Sequence, residues 1–355
     1  MNAAIDAAGM DVAKSSVPRT PPHPTHKLKL LLRREFWEHK GGFFWAPIWA
    51  GGISLLLTLM GIVVALVAGH RAANSGKLQI DGMEVNGLDL GVLTRHLKAD
   101  DVANFGQGLD MFLRIGSSWP FVVMAFVVFF YAIGALYDER KDRSVLFWKS
   151  LPVSDAHTVL SKAASALVIA PVVAALASIA TLLGLLLMLS VVTLAYGGNP
   201  LTLVWNAASP FTLIASSLTW IPVFTLWALP TVGWLLLCSA WSKSKPFLWA
   251  IMIPVLAGIF NSWFDVMELF NLDSGWFWGN IVGRLLGGTI PGIDFFYRQD
   301  LANFSHGDNF KLIHSLLSPT ATFTSLQIPS LWIGAGAGIA MIAAAIRLRR
   351  WRDDN

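Results

Sequence analysis

The chain has 355 residues, of which 55% are hydrophobic and only 14% are charged, whereas soluble domains carry about 25% charged residues. This composition excludes an ordinary water-soluble globule. The net charge of +4 raises the question of a nucleic-acid partner, which the distribution of the charges along the chain must answer.

The N-terminal residues 1–25 differ from the rest of the chain. They hold charged residues and four prolines, and they lack an apolar core followed by a small-residue cleavage site. We therefore expect a disordered tail and no signal peptide. Residues 26–355 are predicted to form one membrane domain.

Six uncharged apolar runs follow the tail, and each is long enough to cross about 30 Å of hydrocarbon as a helix. The predicted spans are residues 43–69, 116–137, 163–194, 213–240, 246–264 and 328–346. Since unsatisfied backbone groups are costly in lipid, the predicted fold class is an all-α integral membrane protein. We expect the helices to be broken only at Pro171, Pro222, Pro230 and Pro254.

Lysine and arginine are distributed unevenly between the two sides that these spans define. An even number of spans places both termini on one side, and that side holds 18 of the 26 basic residues. The positive-inside tendency then places both termini in the cytoplasm, with residues 70–115 and 265–327 outside. This distribution accounts for the basic charge without nucleic acid, and we predict a bacterial cytoplasmic (inner) membrane protein.

Residues 27–40 alternate leucines and Phe36 with five basic residues. The pattern predicts a helix lying in the membrane interface with its basic face towards anionic headgroups, an elbow before the first span. An ordinary basic flank of that span is the alternative.

The two outer segments carry different signals. Residues 81–82 are Asp-Gly between short alternating runs, which predicts a tight hairpin. The segment 265–327 is rich in Trp and Gly, and its apolar stretch 281–290 is too short to span. It is predicted to form an interfacial or re-entrant helix before the last span.

The spans lack the residues that several functions require. They contain no Asp, Glu, Lys, Arg or His, although ion-coupled transporters use such groups at depth. The eight histidines are scattered, and no phosphate-binding loop is present. Cys238 lies in an apolar run without a partner for a disulfide. We predict no catalytic, metal or cofactor site, so any energy must come from another chain.

The connection between the second and third spans is the most informative segment. Glu139 and Arg143 stand four residues apart, which suits charge pairing on a short helix that Pro152 would end. Phe147 and Trp148 stand close to these charges, as aromatic anchors do at protein interfaces. Ser154 is placed to cap the next helix. A charged loop that only fixes topology is the alternative.

At this connection the sequence resembles the membrane subunits of type-2 ABC exporters. The resemblance rests on Tyr137-Asp138-Glu139-Arg140, Ser144, the run from Phe147 through Ser154, and Lys162. The six spans and the basic helix before them support it. It implies a coupling helix over 138–150 seated in a separate ATPase subunit, with Asp138, Glu139, Arg143, Phe147 and Trp148 as the coupling residues. It also implies two permeases, a second copy or a homologue, over two ATPases that bind ATP and Mg.

Tryptophans recur every seven residues through the fourth span, a spacing that keeps them near one helix face. They are Trp220, Trp227, Trp234 and Trp241. The outer two suit the interfacial belts, whereas Trp227 and Trp234 either pack inside the protein or line a substrate pathway. In the last span, Gly334 and Gly338 form a Gly-x-x-x-Gly pair, which suits a contact inside the subunit or a dimer seam.

Three functions compete on this sequence. The first is the permease half of an ATP-driven exporter, and its apolar, ion-free interior suits amphipathic or lipidic cargo. The second is a non-transporting membrane anchor or assembly factor that recruits a soluble partner through residues 138–154. The third is a membrane-embedded transferase that would use polar residues of the second outer segment: Asp294, Arg298, Asp300, His306 and Asp308.

Overall fold

The computed structural model describes residues 24–74, 79–80, 83–84, 99–142, 154–268, 273–293 and 319–352. The longer helices among these residues are α1 (Pro24–Glu38), α2 (Ala46–Asn74), α3 (Ala99–Gly134), α5 (Asp155–Ala164), α6 (Ala170–Ala195), α7 (Pro210–Trp241), α8 (Pro246–Val266) and α12 (Pro329–Arg352). The short helices are α4 (Tyr137–Lys141), α9 (Ser274–Phe277), α10 (Arg284–Gly287) and α11 (Pro319–Thr324).

Within the described ranges, six helical segments are long and apolar enough to cross a membrane, which confirms the predicted multi-pass membrane protein. They are Gly41–Arg71, Asn104–Lys141, Asp155–Ala195, Leu201–Trp241, Pro246–Val266 and Pro329–Trp351. Most extend past the uncharged runs of the sequence, because helices continue through polar residues at both ends. The third segment, for example, begins at Asp155 and includes Lys162.

The core of the bundle lies among α3, α6, α7 and α12. Its fully buried side chains include Met124 of α3, Ala174 of α6 and Leu235 of α7, with Ile342 of α12 almost buried beside them. Helices α2 and α8 lie at the periphery, and they expose many apolar side chains, such as Leu56 and Phe260. Apolar exposure is expected of a surface that faces hydrocarbon.

Glycines let α12 and α7 approach each other closely. A Cβ added to Gly338 would lie 2.5 Å from the carbonyl carbon of Leu229, and one added to Gly233 would lie 2.6 Å from the oxygen of Gly338. Neither position has room for a larger residue unless the helices separate. Gly338 of the Gly-x-x-x-Gly pair therefore makes a contact inside the subunit.

The predicted breaks at Pro222, Pro230 and Pro254 are wrong. Pro222 and Pro230 lie inside α7, and Pro254 lies inside α8, without ending either helix. Neighbouring helices and local adjustments can accommodate the lost donor inside a bundle. The irregular turns are instead π-helical: Gly41–Trp45, Ser165–Ile169, Leu201–Trp205 and Trp278–Gly283. Pro171 follows the second of these, where α6 begins.

Both segments that were predicted to lie outside are described in part. The predicted hairpin is confirmed: strands β1 (Gln79–Ile80) and β2 (Met83–Glu84) pair antiparallel, with Ile80 opposite Met83. Before the last span, α9 packs against α8, and α10 packs against α7. The insertion of this segment into the membrane stays a prediction. The predicted N-terminal tail lies mostly outside the described residues.

Candidate functional site

A buried cluster of charged side chains lies at the end of the bundle where α3 ends and α5 begins. Its first member is Glu35, which is fully buried on α1. Glu35 follows Leu31 by one helical turn, so the carboxylate occupies the buried face of this otherwise basic helix. The hydroxyl of Tyr131 on α3 donates a hydrogen bond of 2.8 Å to Glu35 Oε2.

Lys162 on α5 links two carboxylates. Its Nζ lies 3.0 Å from Glu35 Oε1 and 3.0 Å from Glu139 Oε1, and the lysine is only 2% exposed. Glu35 belongs to α1, and Glu139 belongs to α4, which ends the second spanning segment. One ammonium group thus joins the N-terminal helix to the start of the connection between the second and third spans.

Arg349 on α12 completes the cluster. Its Nη1 lies 2.8 Å from Glu139 Oε2, and its Nε lies 3.2 Å from Asp155 Oδ1. Glu139 precedes the connection 143–153 and Asp155 follows it, so one guanidinium holds both ends of that connection to the last span. We call Glu35, Glu139, Asp155, Lys162 and Arg349, with Tyr131, the ion cluster.

The members of the ion cluster depend on one another electrostatically. Moving a single charge out of water costs on the order of several kcal/mol, even after the protein relaxes. An oppositely charged partner and hydrogen bonds must offset this cost. Three carboxylates share two cations here. Removing Lys162 would separate the buried Glu35 carboxylate from its ammonium partner, so the pairs fix the relative positions of four helices.

A second set of contacts attaches the start of the connection to α7. Ser239 Oγ accepts hydrogen bonds from the backbone N–H groups of Leu136 and Tyr137, at 3.0 Å and 2.9 Å. Arg140 donates to the carbonyl oxygens of Ser239 and Ser242, where α7 ends. A cation at this end also complements the helix dipole. These contacts attach the turn between α3 and α4 to α7, while Glu139 attaches α4 to α5 and α12.

The predicted coupling residues fall into three groups. Glu139 is buried in the ion cluster and faces the interior of the subunit, whereas Asp138 is exposed. Arg143, Phe147 and Trp148 lie outside the described residues. Beyond the connection, Ser154 caps α5 as predicted, because its side chain accepts from the N–H of His157. The coupling role of all five residues stays a prediction.

The two deeper tryptophans of α7 both pack inside the subunit. Trp227 is 2% exposed, and the guanidinium carbon of Arg284 lies 4.2 Å from its ring centroid. Trp234 is half-buried, and its Nε1 donates a 2.9 Å hydrogen bond to the carbonyl of Ala250 on α8. These contacts favour packing over a pathway wall, most clearly for Trp227.

Arg284 holds the segment before the last span against the bundle. It is 4% exposed and donates to the carbonyl of Ser330 at the start of α12. Its own carbonyl accepts a 2.6 Å hydrogen bond from Thr231 Oγ1 on α7. The polar residues proposed for a transferase site, 294–308, lie outside the described residues. Within the described part of the chain, no group of three or more His, Cys, Asp or Glu residues could hold a metal ion.

No family model, curated protein or solved structure matches this chain. The geometry of the ion cluster, together with the sequence, therefore carries the functional argument.

Glu35, Lys162 and Arg349 were not predicted to form a group, although Glu35 and Arg349 each carried a signal. On α12 the buried positions Ile342, Ala345 and Arg349 follow the helical spacing of three and four residues. Glu35 likewise continues the buried face that Leu31 begins. A charge that extends an apolar helical stripe indicates a buried ionic contact, and this pattern could have identified Glu35 and Arg349.

Proposed function

We propose that this chain is the permease subunit of an ATP-driven exporter of the type-2 ABC class, coupled to a separate ATPase through the connection 138–150. The observation that carries the proposal is the placement of Arg349, which binds Glu139 at the start of this connection and Asp155 just after it. A connection held in this way can transmit a displacement to membrane helices, whereas a topological loop needs no such attachment.

The ion cluster offers a route for that displacement. Movement of the connection acts on Arg349 of the last span, and through Glu139 it acts on Lys162 of the third span. Lys162 in turn pairs with Glu35 on the N-terminal helix. Because the paired charges are buried and costly to separate, the helix ends would move together.

The exposed side of α4 supplies the surface for a soluble partner. Asp138, Lys141 and Asp142 are exposed, while Glu139 and Arg140 are held inside. The ATPase would thus meet alternating charges here and the aromatic pair Phe147 and Trp148 further along. Nucleotide and Mg bind to the ATPase in this proposal, and two permeases, identical or homologous, stand over two ATPases.

The proposal also includes the orientation of the chain in the membrane. Helix α1 would be an elbow in the cytoplasmic interface, and both termini would face the cytoplasm of a bacterial inner membrane. Cysteines introduced at Lys77 and Asp308 should react with an impermeant thiol reagent in intact cells, and one at Lys141 should react only after lysis. Reaction at Lys141 in intact cells would reverse the orientation.

The exporter proposal is tested by purifying the tagged chain from its native membranes. We expect an ATPase to co-purify in a one-to-one ratio, and ATP hydrolysis to rise in lipid vesicles when the cargo is added. A co-purifying soluble protein without ATPase activity would support the anchor function instead. Turnover of a substrate by the chain alone, without nucleotide, would support a transferase.

A further inference from the structure

A groove opens beside the ion cluster, between the end of α1 with the following π-helical turn and the last turns of α3. Its volume is about 700 Å³, within the range of sites for small molecules, about 300–1,000 Å³. Glu38, Gly41 and Phe43 line one side, and Phe126, Phe130 and Asp138 line the other.

Aromatic rings form the deeper part of the groove. Phe126 and Phe130 are 63% and 57% exposed on the outer face of α3, in a segment apolar enough to span the membrane. Phe43 and Tyr131 are buried behind them, with ring centroids 4.8 Å apart. This part of the groove suits a hydrocarbon chain that enters from the bilayer, and aromatic faces also attract cations.

Carboxylates stand at the polar end of the same groove. Asp138 is exposed, and its Oδ2 lies over Gly134, where a Cβ would approach it to 2.6 Å. Glu38 lies opposite and is 3.1 Å from Arg34. Among the described residues that line the groove, none is lysine or arginine. The groove therefore combines negative charge at one end with apolar and aromatic surface at the other.

We propose that this groove binds an amphipathic cation, a hydrocarbon chain that carries an ammonium group. The ammonium would lie between Asp138 and Glu38, and the chain would lie against Phe126 and Phe130. An anionic amphiphile would meet two carboxylates in the same place. A neutral one would supply no counter-charge to Asp138, whereas Glu38 already pairs with Arg34. The groove thus selects for positive charge as well as for apolar length.

Two residues connect the groove to the ion cluster. The Tyr131 ring lines the groove, while its hydroxyl donates to Glu35. His39 also lines it, and its Nδ1 lies 3.9 Å from Glu35 Oε2. A ligand that displaces either ring would act on Glu35 and so on Lys162. This step rests on the proposed exporter function. In an exporter, a ligand in the groove would alter the position of the connection to the ATPase.

The test uses the purified full chain in a non-ionic maltoside detergent, without any ATPase. The probe is dodecyltrimethylammonium with a photoreactive diazirine in its chain, and the matched probe carries a sulfate in place of the ammonium. We expect the cationic probe to label residues 41–43 or 123–135, and the anionic probe to label them far less. Equal labelling by both probes, or none in these segments, would overturn the proposal.

Two pairs of variants locate the site. Asp138→Asn should weaken binding of the cationic probe about fivefold, the upper end for one exposed charge pair, while Asp142→Asn, an exposed carboxylate outside the groove, should leave it unchanged. Gly41 lines the groove, and a Cβ added there meets nothing within 4 Å, so a leucine can be accommodated. Gly41→Leu should therefore fill the groove and abolish labelling. Gly52→Leu, equally free of contacts but outside the groove, is the control.

Competition identifies the source of the cation. Short-chain phosphatidylethanolamine that displaces the probe, where phosphatidylglycerol does not, would assign the groove to an aminolipid headgroup. Failure of both lipids to compete would assign it to single-chain cations. Binding is measured on the chain alone, so the two proposals can fail separately. Labelling of the groove would support the binding site even if no ATPase co-purifies. Co-purification of an ATPase would support the exporter function even if the groove stays unlabelled.

Discussion

Replacing Lys162 with methionine is expected to destabilise the folded protein by about 3–5 kcal/mol, the cost of breaking a buried ion pair from one side. The lysine is 2% exposed and bridges Glu35 and Glu139, each 3.0 Å away. Glu139 keeps Arg349 as a partner in this variant. Glu35 keeps only the Tyr131 hydroxyl and the nearby His39, so most of the loss arises at Glu35.

The loss of stability can be measured as a lower midpoint of thermal unfolding in detergent. Size-exclusion chromatography of the heated protein gives the fraction that stays folded. Lys141→Met is the matched control, because Lys141 is an exposed lysine at the same end of the bundle. It should change the midpoint little, since exposed ion pairs are usually worth under about 1 kcal/mol. If the two variants unfold alike, the ion cluster does not hold the helix ends together.

A double variant separates the ion pair from simple loss of volume. In Glu35→Gln with Lys162→Met, the uncompensated carboxylate is gone, so the double variant should be more stable than Lys162→Met alone. Coupling between contacting residues commonly amounts to about 0.5–3 kcal/mol. Additive losses would indicate that Lys162 contributes packing and not charge.

The membrane architecture could be predicted from the sequence because its signals are local. Six apolar runs of sufficient length identify six helices, since a helix that crosses lipid must satisfy its own backbone. The hairpin at residues 79–84 and the Ser154 cap likewise depend on residues within a few positions of one another. Such features need no knowledge of which helices are neighbours.

The ion cluster could not be predicted in this way, because its members are distant in the sequence. Glu35 and Lys162 are 127 residues apart, and Glu139 and Arg349 are 210 apart. Each lies at the edge of a span, where a charge is ordinarily explained by water or headgroups. Only the packing of α1, α4 and α12 against α5 makes them one site, so Glu139, predicted as a contact for a partner, lies inside the subunit.

At the prolines, the sequence predicted a feature that the structure does not contain. Proline removes a backbone donor, and this local rule predicted breaks at Pro222 and Pro230. Helix α7 nevertheless continues through both, and beside Pro230 it is packed closely by Gly338 of α12. Tertiary packing decides whether a helix survives a proline, and a single segment of sequence does not contain that information.

Replacing Phe147 or Trp148 with alanine is expected to release the ATPase, or to uncouple ATP hydrolysis from transport, while the permease still inserts and folds. Truncating an aromatic anchor buried at an interface costs about 2 kcal/mol or more, roughly thirtyfold in affinity. Both residues belong to the connection whose two ends Arg349 holds through Glu139 and Asp155. The pairs of the ion cluster involve neither residue, so the membrane domain should keep its thermal stability.

The experiment measures three quantities for each variant: recovery of the ATPase with the tagged permease, cargo-stimulated ATP hydrolysis, and the midpoint of thermal unfolding. Lys141→Ala is the control, because one exposed charge is usually worth under about 1 kcal/mol. A lower unfolding midpoint for Phe147→Ala would place that ring in the core instead. If all three variants retain the ATPase and transport like the parent, the connection is not the coupling element, and the exporter proposal loses its main support at the level of residues.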